Sequence, residues 1–270
     1  MILALSLALA AQIVQPPGPL PETEEGRAAQ CQASVRQNAQ AALGIANRWQ
    51  AAGGGLHARQ CVGLAYVALE QWSSAATVLE QAAQEAERLR DARLPDFWVQ
   101  AGNAWLAGAE PARAIAAFDR ALAAQGSMTP QMRGEVRLDR ARALVAQNQL
   151  SGARADLNQA LELVPEDPMA WYLSAALARR QGDLARARTD ISRARELARD
   201  NPDILLLAGT IAGQAGDMAE AERIYRQVAQ SAPNSDAGRA AQASLGTARN
   251  VEVAAPAASP TPPPPAPRQR

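Results

Sequence analysis

Three features of the 270-residue sequence predict an all-α fold built from antiparallel helix pairs. Almost one residue in four is alanine, the strongest helix former, and only 4% of the residues are aromatic. The β-branched and aromatic side chains that favour strands are therefore scarce. An apolar helical pattern, a short turn and a second helical pattern also recur along the chain, with turns at Gly182-Asp183 and Gly216-Asp217.

The two ends of the chain differ in composition from its middle. Residues 1–11 form an apolar run that is too short to span a membrane, has the length of a signal-peptide core, and offers a small-x-small cleavage site. We therefore predict a cleavable signal peptide, export to the periplasm and no membrane span in the mature chain; an N-terminus that stays uncleaved as an anchor is the alternative. Residues 12–21 are predicted to be a Pro-rich linker, and residues 250–270 a disordered Pro-rich tail.

Repeating windows fill the region between these ends. Windows of similar pattern begin at residues 22, 56, 95, 134, 168 and 202. The steps from 56 to 95 and from 95 to 134 are 39 residues, whereas the other steps are 34. We place the extra residues in a lengthened helix or a loop.

Three positions of every window carry the same kind of side chain. The eighth residue is small, the twentieth is Ala, and the twenty-fourth is large and apolar. Two helices joined by a tight turn cross closely only where small residues meet, and a large residue then fills the groove beside them. The large residues are Ile45, Leu79, Phe118, Leu157, Ile191 and Tyr225.

These windows resemble the tetratricopeptide repeat. Trp98 stands at the fourth position, Trp105 at the eleventh and Pro233 at the thirty-second, as in that family. The resemblance implies helix pairs stacked into a right-handed superhelical solenoid. Its predicted parts are a degenerate hairpin over residues 22–55, five repeats over 56–235, and a capping helix over 236–249.

The residue inventory argues against several kinds of chemistry. All 27 basic residues are Arg, so no lysine is available for a phosphate-binding loop or a Schiff base, and a single His cannot form a two-His metal site. The Arg-rich segment 186–199 is interleaved with Asp190 and Glu196, which is typical of a solvated helix face. We therefore predict no enzymatic activity, no cofactor, no metal and no nucleic-acid partner.

Cys31 and Cys61 are predicted to form a disulfide. An exported protein meets an oxidising compartment, and both residues fall on the first helix of successive hairpins. The bond would covalently link the degenerate first hairpin to the next one and so stabilise it. Two buried free thiols are the alternative.

The family resemblance also implies a partner-binding concave face, lined by positions two, five, nine and twelve of each first helix. An extended or helical segment with two or three apolar anchors suits this face better than a free peptide C-terminus, because Gln60, Leu64 and Leu138 stand where much of the basic and Asn set that binds a terminal carboxylate would be. Leu138 and Leu206 could instead pack against the next repeat. The assigned residues are Leu64, Val67, Val99, Asn103, Leu138, Arg142, Tyr172, Arg179, Leu206 and Thr210.

The predicted function is that of a non-enzymatic protein–protein interaction scaffold of the bacterial cell envelope, which binds a protein or peptide segment on the concave face of the array. The alternative is a structural spacer that links envelope components through its Pro-rich tail.

Overall fold

A computed structural model describes residues 21–124 and 128–254, with side chains described up to residue 246. Over these ranges the chain forms thirteen α-helices and no strand, which confirms the all-α prediction. The predicted signal peptide, the linker up to residue 20 and the tail beyond residue 254 lie outside the described residues. The chain divides into two compact units, one ending at Gln149 and the other beginning at Leu150.

Unit 1 contains three and a half helix pairs, in which each helix packs on the next. A single extended residue, Asn38, separates the first two helices, and its side chain caps the second by accepting a hydrogen bond from the amide of Ala41. The helices are α1 Glu24–Gln37, α2 Ala39–Ala51, α3 Gly55–Ala68, α4 Trp72–Leu89, α5 Leu94–Ala107, α6 Pro111–Ala123 and α7 Pro130–Ala146.

Unit 2 contains a single helix followed by two helix pairs and a terminal helix. Asp167 and Asn201 cap α9 and α11, and each cap is followed by a proline at the first helical position, where a missing amide proton has no cost. The helices are α8 Leu150–Leu163, α9 Pro168–Arg180, α10 Leu184–Leu197, α11 Pro202–Gln214, α12 Met218–Ser231 and α13 Asp236–Ala254.

The same turn follows the first helix of each window from residue 56 onward. The residue at position fifteen of the window has a positive φ, and the next amide donates to the carbonyl five residues earlier, as Asp183 does to Ala178. This is a Schellman ending, which normally favours glycine. The turn residues are Glu70, Ala109, Asn148, Gly182 and Gly216.

The small eighth residue and the large twenty-fourth residue meet within the helix pairs, as the sequence pattern predicts. A methyl group added to Gly102 would lie 2.6 Å from the ring of Phe118, and one added to Gly209 would lie 2.8 Å from the ring of Tyr225. Gly63 stands in the same relation to Leu79. At these three glycines, a larger residue would therefore force the facing side chain or the helices themselves to shift.

The extra residues of the two long windows are used differently. In the first, α4 continues to Leu89 and ends at Arg90, whose φ is positive. In the second, α7 begins at Pro130, four residues before the start of its window. Both observations agree with a lengthened helix or loop at these steps.

The terminal helix α13 is longer than the sequence analysis predicts. It runs to Ala254, whereas the capping helix was expected to end at residue 249. The physical reason is that residues 250–255 contain no helix breaker, while Pro256 disfavours helical backbone at the residue before it.

Candidate partner-binding faces

The first helices of unit 1 carry a row of apolar side chains at position twelve. Val67, Leu106 and Val145 occupy this position on α3, α5 and α7, and all three remain partly exposed. The next residue on each helix is an exposed alanine, Ala107 in the case of α5. We call these residues the inner face of unit 1. The name also includes Leu64 and Val99 and a row of polar residues formed by Gln60, Gln100, Asn103, Asp139 and Arg142.

A row of polar side chains crosses the same face. The amide of Gln60 donates to Gln100 Oε1 at 3.2 Å, which joins α3 to α5. Asn103 hydrogen-bonds Asp139, and Arg142 donates to Asp139 Oδ1 at 3.1 Å, which joins α5 to α7. Burial raises the pKa of the Asp139 carboxyl, whereas the charge of Arg142 and the hydrogen bonds from Arg142 and Asn103 oppose that rise.

The predicted residues of unit 1 differ in how much surface they offer. Leu64, Val67 and Val99 are half-buried, and Asn103 and Arg142 are exposed. Leu138 is only 5% exposed, so its assignment to an accessible binding surface is wrong. Leu138 is instead a buried core residue, which agrees with the alternative that its side chain is packed rather than available to a partner.

Two apolar residues of this face were not predicted from the sequence to belong to a binding surface. Leu106 and Val145 stand at position twelve, the same register as Val67, and that register was available in the sequence. Their partial exposure depends on what covers each helix, which the register alone does not indicate.

The inner face of unit 2 is formed by Tyr172, Ala176 and Arg179 on α9 and by Leu206 and Thr210 on α11. All five are partly exposed. The Tyr225 hydroxyl lies 3.3 Å from Thr210 Oγ1, and Thr210 in turn donates to the Leu206 carbonyl at 2.9 Å. Burial and the nearby Asp203 carboxylate raise the pKa of Tyr172, while Arg179 acts in the opposite direction.

Cys31 on α1 and Cys61 on α3 lie side by side in the core of unit 1. Their Cα atoms are 6.0 Å apart, within the usual range for a disulfide, and their sulfur atoms are at bonding distance. Both residues are almost completely buried. The two helices that carry them are the first helices of successive hairpins, as the sequence register predicts.

A buried polar network in unit 2 has a structural rather than a catalytic arrangement. Ser174 Oγ donates to Asp190 Oδ2 at 2.5 Å, and Arg154 donates to Ser174 Oγ at 2.7 Å. Ser174 is fully buried and Asp190 is 4% exposed, so no substrate can reach the hydroxyl. Asp190 therefore does not belong to a solvated helix face as expected from the sequence, because Ser174 and Arg186 satisfy its carboxylate inside the unit.

Trp98 and Trp105 of unit 1 pack in the core, and an arginine guanidinium lies over each ring. Trp105 is 1% exposed, its indole donates to Glu80 Oε1 at 2.7 Å, and the Arg113 guanidinium lies 3.3 Å from its ring centroid. Arg120 stands over Trp98 in a similar way. These contacts satisfy the indole and shield the rings from water.

Neither a metal-binding cluster nor a membrane-spanning helix occurs among the described residues. No group of three or more His, Cys, Asp or Glu side chains within residues 21–124 and 128–254 is placed to hold a metal ion. Over the same ranges, none of the helices combines the length and apolar character that crossing a bilayer requires.

Comparison with known proteins places the repeats in a family. Two tetratricopeptide repeat profiles match residues 138–202 and 178–245. No curated protein sequence matches the chain.

Several solved structures share the fold. PilW, described as a widely conserved type IV pilus biogenesis factor, aligns over 81% of this chain and 98% of its own, with 21% identity and a TM-score of 0.68. Pseudomonas aeruginosa PilF aligns over 82% of this chain and 97% of its own, with 15% identity and a TM-score of 0.65. YrrB, described as a tetratricopeptide protein with an unusual peptide-binding site, covers 80% of this chain and 99% of its own, with 17% identity and a TM-score of 0.51. The matched repeats span residues 138–245, and the chain shares its helix-pair fold with solved tetratricopeptide repeat proteins.

Proposed function

We propose that this protein is a non-enzymatic interaction scaffold of the bacterial cell envelope and that it binds a segment of a partner protein on the inner faces of its helix pairs. The observation that carries the proposal is the apolar row of unit 1. Val67, Leu106 and Val145 recur at one register on three first helices and stay partly exposed. Apolar side chains aligned in this way form a surface that gains from being covered.

The polar row beside these anchors favours a partner in an extended conformation. Gln60, Gln100 and Asn103 present amide groups, each of which can both donate and accept hydrogen bonds. An extended segment leaves its main-chain groups available to such amides, whereas a helical segment has already satisfied them. The ion pair between Asp139 and Arg142 adds no net charge to the row.

The envelope location is part of the same proposal. The apolar run at residues 1–11 is supported as a signal peptide by its length and its cleavage site. The placement of Cys31 beside Cys61 supports residence in an oxidising compartment, where a disulfide persists. The fold that the chain shares with PilW, a type IV pilus biogenesis factor, supports the same location.

Site-specific photo-crosslinking tests the proposed surface. A photoreactive amino acid replaces Ala107 on α5 or, as a matched control, Ala116 on α6; both alanines are exposed and lie on consecutive helices. We expect Ala107 to capture a defined partner from the native envelope and Ala116 to capture none. The captured partner is then purified and its affinity remeasured with Leu106→Asp, which should abolish binding because it places a charge in the apolar row.

The outcomes separate the proposal from the spacer alternative. Equal capture from both positions, or capture that survives Leu106→Asp, would show that the inner face of unit 1 is the wrong surface. Capture that depends only on residues 255–270 would instead support a spacer attached through its Pro-rich tail.

A further inference from the structure

One cation on the inner face of unit 2 has no counter-charge. Within the described residues, Arg179 makes no hydrogen bond and no ion pair, and its buried Nε–H meets no acceptor. The comparable cation of unit 1, Arg142, is paired with Asp139. A guanidinium left without an acceptor at a partly desolvated position retains its full capacity to bind an anionic group.

A second donor on this face is also unengaged. The Tyr172 hydroxyl makes no hydrogen bond within the described residues, and the charge of Arg179 is close enough to act on it. Tyr172, Ala176 and Arg179 are spaced four and three residues apart, so they lie on one face of α9. The Thr210 hydroxyl on α11, in contrast, already donates to a carbonyl.

The apolar part of the face consists of Ala176 on α9 and Leu206 on α11. Ala176 and Leu206 pack against the core of unit 2 while part of each side chain remains exposed. A partner residue with an apolar side chain can therefore sit on them next to the two donors. Asp203, at the start of α11, acts on Tyr172 electrostatically, and it disfavours a second carboxylate at that end of the face.

We propose that the inner face of unit 2 recognises an acidic side chain in the partner segment. Its carboxylate pairs with Arg179, at the end of α9 away from Asp203, while a neighbouring apolar residue of the partner packs on Ala176 and Leu206. The inference rests on the proposed function, to which it adds the chemistry of the partner. The fork of the guanidinium matches a carboxylate better than any neutral acceptor.

Selection from a random peptide library tests this assignment. Twelve-residue peptides are displayed on phage with their C-termini joined to the coat protein, so a free terminal carboxylate cannot be selected. The full chain, Arg179→Gln and Arg188→Gln serve as targets; Arg188 is an exposed arginine on the outer helix α10 of the same unit and controls for the loss of one charge.

We expect peptides that bind the unmodified chain to share one Asp or Glu next to an apolar residue. A synthetic peptide of the selected sequence should lose about tenfold or more in affinity when its acidic residue becomes the amide, and a similar amount towards Arg179→Gln. Arg188→Gln should bind as the unmodified chain does. The change in the peptide tests the contact without altering the protein, so it remains decisive if Arg179→Gln folds poorly.

Two outcomes would contradict the inference alone, and a third would contradict the proposed function as well. Selected peptides without an acidic preference, or acidic peptides that bind Arg179→Gln with unchanged affinity, contradict the role of Arg179 but leave a peptide-binding scaffold in place. A library that yields no binding peptide contradicts the proposed function itself, and the inference falls with it.

Discussion

Reduction of the Cys31–Cys61 pair is expected to loosen α1 while leaving the rest of the chain folded. Cys31 is the only buried residue of α1, and the partly buried Ala28 and Val35 pack against the cluster around it, so few apolar side chains hold the helix. The buried Gln30 Oε1 has no hydrogen-bond partner, which weakens the docking further. Asn38, a single extended residue, is the link between α1 and α2, and a helix attached in this way can swing out as a unit.

The size of the effect follows from the length of the loop that the bond closes. Cys31 and Cys61 are 30 residues apart, and closing such a loop lowers the chain entropy of the unfolded state by about 12 cal/mol/K, or about 3.6 kcal/mol at 298 K. If this whole amount acts on the opening of α1, the helix should open about 400-fold more often once the bond is broken. Helix α3 should respond less, because it buries Leu56, Val62 and other residues besides its cysteine.

Hydrogen exchange followed by mass spectrometry measures this opening. Peptides from α1 should exchange faster after a phosphine reductant is added, whereas peptides from α9 to α12 should not change. The double variant Cys31→Ala/Cys61→Ala should exchange rapidly in α1 with or without reductant, which controls for effects of the reductant. Equal exchange of α1 in the oxidised and reduced protein, or two free thiols in protein purified from the periplasm, would refute the reasoning.

Three further predictions concern packing, turns and pH. Gly102→Ala should lower the free energy of unfolding by about 1–3 kcal/mol in a denaturant titration, because its methyl group would meet the facing aromatic ring. As a control, Gly44→Ala should raise the free energy of unfolding by about 0.5–1 kcal/mol, since nothing lies within 4 Å of the added methyl group. Ala109→Gly should raise the same quantity by about 0.5–1 kcal/mol, because the residue has a φ of 57° that glycine adopts without strain; an unchanged or lower midpoint would contradict this. The Asp91 carboxyl should titrate with a pKa of about 2 in a carboxyl-detected NMR titration, since the Arg93 side chain donates a hydrogen bond to it. Because this folded-state pKa lies below the unfolded value, the stability it contributes is present above about pH 4 and is lost as the pH falls towards 2; an ordinary pKa at Asp91 would show that the pair does not form.

The sequence predicts the helix pairs well because their packing requires particular residue types at positions that recur with a fixed spacing. A small eighth residue opposite a large twenty-fourth residue is required wherever two helices cross closely, so pairs such as Gly102 with Phe118 appear at a fixed spacing. The turns are less visible. Only Gly182 and Gly216 mark them in the sequence, whereas Ala109 adopts the same positive φ without any sequence signal, because the packing of the two helices outweighs a local strain of about 1–2 kcal/mol.

The binding faces were only partly predictable, because register indicates which way a side chain points but not what covers it. Leu138 has the register of a binding residue and is nevertheless buried. Ser174 and Asp190 have polar side chains that suggest solvent, yet both are buried, because hydrogen bonds from Arg154 to Ser174 and from Ser174 and Arg186 to Asp190 satisfy them inside the unit. Arg179 fits its predicted face, but its lack of a counter-charge depends on three-dimensional neighbours that the sequence does not reveal.

Hydroxyl-radical footprinting of the protein with and without its captured partner tests the central claim most directly. The method reports the solvent exposure of individual side chains, and unit 1 offers matched probes: Val67 and Leu106 on the inner face, and Ile115 and Leu122 on the second helix α6, all partly exposed in the free protein. The account predicts that the partner protects Val67 and Leu106 and leaves Ile115 and Leu122 unchanged. Protection of Ile115 and Leu122 alone, or of neither pair while the partner remains bound, would contradict binding on the inner face.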